Sequence, residues 1–364
     1  MRRLHFIASV LGTALTCIFF IAPPAGLTKA SRSSLSPGTE LSLAQALSVM
    51  PDNATTRAAG VWYTNYARAE RTYRLTAPLT VTSPQIQSYF TAIRPLRVGP
   101  ETGINSLFTG LWKLRYGYDL FNISSEIYTD GLSRQAYGLA VGSMSPISIS
   151  AHLIANGYLA AFLPRASRLS RIAQFPLWAS DSTVNNVVVA PSSLYFGGKL
   201  IDVMSMAEET LGVSPTLGYN PLYQDIELAL GPITSGFIAA NVPLPISNAP
   251  RFIEPAHPHA GPPLHAFSLY SVAYREPYPG DRIMKLALVY PSVSLATADA
   301  ATLTDRFRIE KLPVTGRSWT SIAAPIEVGI VNNVVTVFLY LKSTVPLTFW
   351  QDVVTNGALT ILSP

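Results

Sequence analysis

The sequence predicts an α+β fold in which helices cover one face of antiparallel sheets. Short β-branched runs recur in pairs, and single amphipathic segments separate these pairs. The 29 prolines and 23 glycines are scattered through the chain, as turn residues are in an ordered protein with many short elements. This alternation of strand pairs with single helices further predicts ferredoxin-like units in two halves.

Residues 1–30 predict an export signal. Two arginines near the start are followed by the uncharged run 6–22, and then by prolines and small residues that lead to Ala30. Cleavage is expected after Ala30, or alternatively after Gly26. An uncleaved membrane anchor is the other interpretation, because the apolar run lies at the lower limit of what spans a bilayer. Either way, the sequence predicts an extracytoplasmic protein that contacts a membrane only through an uncleaved N-terminus.

The chain has a single cysteine, Cys17, inside the apolar run. An acylated anchor at Cys17 is a third interpretation, but Ala14 and Thr16 occupy the positions where a bacterial lipobox has Leu and a small residue. If the leader is cleaved, the mature protein contains no cysteine. Disulfides, thiol catalysis and a cysteine-bound zinc are then excluded.

The charge balance argues against a nucleic-acid partner. The formal net charge is +5, but residues 1–30 hold three basic residues and no acid, so the remainder carries +2. Basic residues recur at short spacing in two triplets, namely Arg68, Arg71 and Arg74, and Arg165, Arg168 and Arg171. For both triplets, exposure to solvent is favoured over contact with an anionic membrane or a phosphate backbone, because no aromatic residues that could stack on bases accompany them.

The segment 31–40 predicts a flexible spacer, and 41–242 predicts an N-terminal α+β domain. Three helix starts carry a capping residue followed by Pro at the first helical position, and two more helices follow from apolar residues at helical spacing. The predicted helices are 42–50, 83–95, 145–156, 200–211 and 220–230. Apolar runs bounded by turn residues predict the strands 135–144, 158–163, 184–190, 193–197 and 233–242.

The segment 243–265 predicts a linker, because its seven prolines cannot hold a regular strand ladder. The C-terminal α+β domain then covers 266–364. Its clearest feature is "IEVGIVNNVVTVFLYLK", two β-branched runs joined by Asn332 and Asn333, which predicts a hairpin since Asn tolerates positive φ. The other predicted elements are strands 267–274, 283–290 and 358–362 and helices 296–307 and 347–355.

Several blocks of the chain resemble a loosely defined group of bacterial exported proteins and lipoproteins. The blocks are "YGYDLFNISSEIY", "ISAHLIANGY", "LALVY" and "IEVGIVNNVVTV". In that group an aromatic-Gly-x-Asp segment precedes a strand and a helix that ends near Gly-Tyr. The resemblance implies ferredoxin-like repeats, but it implies no activity, ligand or catalytic residue.

A histidine-rich stretch inside the predicted linker is the candidate metal site. Its possible ligands are Glu254, His257, His259 and His265. Pro258 and the neighbouring prolines favour polyproline II, in which positions i and i+2 point about 120° apart, so His257 and His259 would not face one metal as a pair. A solvated linker is therefore favoured, and metal binding is kept as the alternative.

Other candidate residues have a structural explanation that is favoured over a functional one. The acids Asp119, Glu126 and Asp130 lie close enough in sequence for a glycosidase-like carboxylate pair, but scattered surface acids are commoner. Four aromatic residues could line a ligand groove or pack in the core, and core packing is favoured. They are Tyr116, Tyr118, Phe121 and Tyr128.

The sequence predicts a binding role rather than catalysis. It contains no G-x-S-x-G, S-x-x-K, phosphate-loop or H-E-x-x-H motif, so no common motif-borne hydrolase or nucleotide chemistry is indicated. The expected function is that of a noncatalytic exported protein that binds an envelope or extracellular partner, without a cofactor. The alternative is a metal-dependent enzyme that uses the loop 254–265.

Overall fold

The computed structural model describes ten stretches of the chain that together form an α+β fold. They are residues 40–96, 111–129, 136–161, 171–174, 186–190, 192–209, 215–241, 262–312, 315–355 and 359–363. The predicted fold class is confirmed.

Twelve strands form one sheet in which every neighbouring pair is antiparallel. In chain order the strands are β1 (Val61–Asn65), β2 (Ile123–Thr129), β3 (Tyr137–Gly142), β4 (Leu159–Ala161), β5 (Arg171–Gln174), β6 (Asn186–Ala190), β7 (Ser193–Gly197), β8 (Ser235–Ala240), β9 (Leu269–Arg275), β10 (Ile283–Val289), β11 (Ala323–Val331) and β12 (Val334–Leu341). Their order across the sheet is β11-β12-β10-β9-β8-β1-β2-β3-β7-β6-β5-β4. Ferredoxin-like units within this order are not confirmed.

Eleven α-helices are described. They are α1 (Leu43–Leu47), α2 (Ala54–Ala59), α3 (Tyr66–Tyr73), α4 (Ile86–Ile93), α5 (Leu111–Tyr116), α6 (Pro146–Ala155), α7 (Leu200–Glu209), α8 (Pro221–Leu230), α9 (Val293–Ile309), α10 (Trp319–Ile322) and α11 (Phe349–Thr355). Within the described stretches, no helix combines the length and apolar character needed to cross a membrane.

Helices cover both faces of the sheet, whereas the sequence predicts them on one face only. The reason is that the central strands are buried at every position, so alternate side chains need a cover on each side. On β1, Trp62 enters the core beneath α3, α4, α9 and α11, and Tyr63 enters the opposite core beneath α1, α7 and α8. A strand that is buried on both faces shows no alternation of polar and apolar residues. The sequence therefore did not indicate that the second face is covered.

The predicted boundary at 243–265 does not separate two cores. Strand β8 before this segment pairs directly with β9 after it, from Ser235 opposite Tyr274 to Ala240 opposite Leu269. Residues of both predicted halves also share the same two apolar cores. The two halves therefore contribute to one continuous sheet, while residues 242–261 lie outside the described residues.

Most predicted elements are present, with two kinds of difference. The hairpin around Asn332 and Asn333 is confirmed, and Asn332 has the positive φ of 54° that the turn requires. The predicted last strand at 358–362 is wrong, because Leu359–Leu362 forms a 3₁₀ turn. Among the elements that were not predicted are β1 and α3, which follow one another without a turn because Asn65 ends the strand and caps the helix.

The first described residues are fixed firmly to the sheet. The side-chain Nδ2 of Asn65 donates to the Glu40 carboxylate at 2.6 Å, and Arg71 forms an ion pair with the same carboxylate at 2.5 Å. Next to it, the Leu41 amide donates to the Ser125 hydroxyl at 2.9 Å. The Arg71 of the first basic triplet thus contacts an acid of this chain, which accords with a structural role for it.

One cation, Lys285, lies in the interior of the sheet on β10. Its ammonium group donates to the carbonyls of Ala229 and Leu230 at the C-terminal end of α8, and it lies 4.5 Å from the centre of the Phe338 ring. Among the described residues it forms no ion pair with an acid. Burial, assisted by the charge of Arg275, lowers the pKa of Lys285 to about 8.

Replacing Lys285 should change how stability depends on pH. The folded pKa lies below the ordinary value of 10.5, so the unfolded chain binds more protons between these values and the free energy of unfolding rises with pH there. Relative to Lys285→Met, the wild type should gain about 2 kcal/mol between pH 8 and pH 10, at about 1.4 kcal/mol per pH unit at most. Urea unfolding at several pH values measures the difference.

The exposed Lys311 provides the matched control for this measurement. Lys311→Met should keep the wild-type dependence of stability on pH. If the free energy of unfolding changed with pH in the same way in the wild type and in Lys285→Met, this would contradict the lowered pKa of Lys285.

Candidate functional site

A polar pocket of about 530 Å³ forms where four separate segments meet at one end of the sheet. Its walls come from the end of α3, the end of α4, the turn between β9 and β10, and the loop that follows β12. The lining side chains that carry charge or aromatic surface are Tyr73, Arg94, Glu276 and Arg282, and the loop adds the hydroxyls of Ser343, Thr344 and Thr348.

Glu276 lies at the inner wall of the pocket and is only 4% exposed. It immediately follows β9, so the strand places it at the start of the β9–β10 turn. The Tyr274 hydroxyl donates to one carboxylate oxygen, and the Gly280 amide donates to the other at 2.6 Å. Both oxygens are thus hydrogen-bonded, as a buried carboxylate requires.

Arg282 fixes the loop on the opposite wall. It is 6% exposed, and its two terminal nitrogens donate to the carbonyls of Val345 at 2.8 Å and Lys342 at 2.9 Å. Its own carbonyl accepts the Leu341 amide at 2.8 Å. Because one residue binds three points around the end of β12, the shape of this wall depends on Arg282.

Two tyrosines beside Glu276 act as neutral hydrogen-bonding groups. Burial raises the pKa of Tyr73 and of Tyr274 far above the ordinary value of 10, and the adjacent Glu276 carboxylate raises both further. At neutral pH both phenols therefore keep their protons. Tyr274 donates its hydrogen bond to Glu276, whereas Tyr73 lines the pocket and can donate to Glu276 or to a ligand, and both are poorly suited to act as bases.

Arg94 supplies the accessible charge of the pocket. It is the exposed C-terminal cap of α4, and its guanidinium forms no ion pair or hydrogen bond within the described part of the chain. With Arg282 and Glu276 also present, the pocket carries a net formal charge of +1. A free guanidinium beside several hydroxyls is suited to a small anion that also bears hydroxyl groups.

Of the four predicted metal ligands, only His265 lies among the described residues. Glu254, His257 and His259 lie outside the described residues, whereas His265 is half exposed and held by the buried Asp299. The imidazole Nδ1 lies 2.7 Å from one carboxylate oxygen of Asp299, and the His265 amide donates to the other at 2.8 Å. No group of three potential metal ligands occurs among the residues the structure describes. A metal site at 254–265 stays a prediction.

Two of the three candidate acids, Asp119 and Glu126, lie among the described residues, and each contacts a different partner. Asp119 precedes a 3₁₀ turn and pairs with Lys113 at 2.9 Å, whereas Glu126 is buried on β2 and accepts the Tyr66 hydroxyl at 2.7 Å. Asp130 lies outside the described residues. Each acid therefore has a structural partner, but the favoured interpretation as surface acids is wrong for both, because Asp119 and Glu126 are only 7% and 3% exposed.

The four candidate aromatic residues are all buried in one apolar core. They are Tyr116, Tyr118, Phe121 and Tyr128. The favoured prediction of core packing is confirmed for them. Of the second basic triplet, Arg165 and Arg168 lie outside the described residues, and only the backbone of Arg171 is described, in β5.

The residues of the pocket were missed because they are far apart in sequence. Glu276 and Arg282 do flank a short "PYPGD" turn, and two opposite charges around a tight turn are the only local signal. Tyr73 and Arg94 come from two helices whose relation to this turn depends on the tertiary fold. Sequence spacing cannot reveal such a site.

Comparisons with known proteins found no match. No protein-family model fits the chain, and no curated protein or solved structure is significantly similar to it.

The two arginines of the pocket should differ in their effect on stability. Arg282→Ala should lower the free energy of unfolding by roughly 3 to 5 kcal/mol, because it leaves two carbonyls without donors and opens a cavity. Arg94→Ala should change it by less than about 0.5 kcal/mol, because this side chain is exposed and unpaired in the described structure. Chemical unfolding measures both values, and equal effects would contradict the assigned roles.

Proposed function

We propose that this chain is an exported, noncatalytic protein that binds a small hydroxylated anion in the pocket beside Arg94. The observation that carries the proposal is an accessible, unpaired guanidinium at a pocket whose other charged groups are already fixed by the fold. A carboxylate or phosphate ester could accept a paired hydrogen bond from Arg94. The hydroxyls of Ser343 and Thr344 would bind the polar remainder of the ligand.

The hydrogen bonding in the pocket favours binding over acid–base chemistry. Both oxygens of Glu276 are occupied by donors of the protein, and the terminal nitrogens of Arg282 are occupied by carbonyls. The neutral Tyr73 completes this wall, and the buried Tyr274 supports it from behind through its hydrogen bond to Glu276. Rigid, satisfied groups preserve the shape of a pocket, and a ligand then loses little free energy to reorganisation on binding.

Export remains part of the proposal and rests on residues 1–30 alone. In this proposal the leader is removed and the folded part works outside the cytoplasm. The partner is then a soluble small molecule or a component of the envelope that presents the same anionic group.

A ligand screen on the purified protein tests the proposed binding. The probes are inorganic phosphate, citrate, gluconate, glucose 6-phosphate and glucose, measured first by thermal shift and then by calorimetric titration. At least one hydroxylated anion should raise the melting temperature, while neutral glucose should not. Binding should also weaken as salt rises, because an exposed guanidinium is screened.

Arg94→Gln should weaken the binding of that anion at least tenfold without loss of stability, because it removes the charged donor and keeps a polar side chain. Arg308→Gln is the matched control, since Arg308 is 71% exposed on α9 and does not line the pocket. It should leave the affinity unchanged. No response to any anion, or equal affinity in Arg94→Gln and the wild type, would refute the proposal.

A further inference from the structure

Strand β11 forms one edge of the sheet in the part of the chain that the structure describes. It lies at one end of the strand order and pairs only with β12 among the described strands. The strand is nine residues long and contains no Lys, and its final residues Ile330 and Val331 are 40% and 38% exposed. From Ile326 onward the strand runs in regular register with β12 and carries one charged side chain, Glu327, and an apolar edge of this kind can pair with another strand.

The register of the hairpin identifies the backbone groups that point outward. Val331 pairs with Val334 across the two-residue turn, and such a closing pair exchanges both of its hydrogen bonds. Alternation along the ladder then directs the amides and carbonyls of Ile326, Val328 and Ile330 away from β12. Within the described part of the chain, these groups have no backbone partner on the outer side.

The two faces of β11 differ in their surroundings. Ile326 and Val328 pack partly against the apolar core, where α9 and α10 lie near the strand. On the other face Glu327 is exposed, and it is the single charged side chain of the strand. The pairing with β12 is irregular between Ala323 and Ile326, so a regular outer edge begins at Ile326.

We propose that two copies of this chain pair through their β11 edges, antiparallel, about a two-fold axis at Val328. This register places Ile326 of each copy opposite Ile330 of the other and forms about six backbone hydrogen bonds from the outward groups. It also places Glu327 opposite Gly329. A register centred on Glu327 would instead oppose two carboxylates, which is unfavourable.

The size of the contact sets the strength of the dimer. Five paired residues span about 17 Å, and one strand edge of that length buries well below the roughly 800 Å² per partner of a stable interface. The dimer should therefore be weak and concentration-dependent. The partner is strand β11 of a second copy, because an antiparallel edge strand is complementary to the same strand in another molecule.

Sedimentation velocity over about 1 to 200 µM tests the dimer, with the protein recovered from the extracytoplasmic fraction. The wild type should shift toward the dimer as its concentration rises. Val328→Pro should abolish this shift and keep the hairpin, because the lost amide points outward. Ile330→Lys should also abolish it through charge on the edge. The control Ile147→Lys changes an 84% exposed residue on α6 and should dimerise like the wild type.

Disulfide trapping tests the register, with Cys17→Ser as background so that each introduced thiol is alone. Val328→Cys should cross-link to its copy under mild oxidation, since directly opposite residues lie about 5.5 Å apart between Cα atoms. Ile326→Cys should not, because the two copies of this residue would lie more than 10 Å apart. A monomer at every concentration, a dimer retained in both edge variants, or faster cross-linking of Ile326→Cys would overturn the proposal.

Discussion

The structure depends on the antiparallel pairing of β8 with β9. These strands lie on either side of a proline-rich stretch, and their six residue pairs join the earlier and later parts of the chain in one sheet. Strand β8 also pairs with β1 on its other side, so Phe237 lies in the middle of a ladder that continues in both directions. Without this pairing, β1 and β9 would each expose an edge and part of two apolar faces.

A continuous sheet with two buried faces forces several cations into the interior. Arg282, Lys285 and Arg306 are each at most 6% exposed, and all three donate to backbone carbonyls. Arg306 on α9 contacts the carbonyls of Pro262, Ile361 and Ser363 at 2.7 to 3.0 Å. Carbonyls at the ends of helices and loops lack partners of their own, so a long cationic side chain satisfies them and connects distant segments.

The local elements were largely predictable because their signals are short-ranged. Ser145 with Pro146 marks the start of α6, and the two asparagines mark the β11–β12 turn, since cap and turn chemistry acts within a few residues. The second helical layer was not predictable. A fully buried strand such as β3 shows a uniform apolar run, which does not reveal how many faces are covered.

The candidate site was not predictable for a related reason. Glu276 and Arg282 are ordinary turn-flanking charges in sequence, and they become a pocket wall only when Tyr73 and Arg94 arrive from helices about two hundred residues earlier. The conspicuous histidines, in contrast, attracted attention because they are adjacent in sequence. Of these, His265 has a clear structural role, since Asp299 fixes both its amide and its ring.

Calorimetric unfolding of the wild type and of Val272→Ala tests most directly whether the paired halves form one unit. Val272 is buried on β9, so the substitution should destabilise the later half by roughly 1 to 3 kcal/mol. If β8 and β9 join one sheet, both proteins should show a single transition, and the variant should shift the whole of it to lower temperature. Two transitions, of which only one moves in the variant, would contradict the shared sheet.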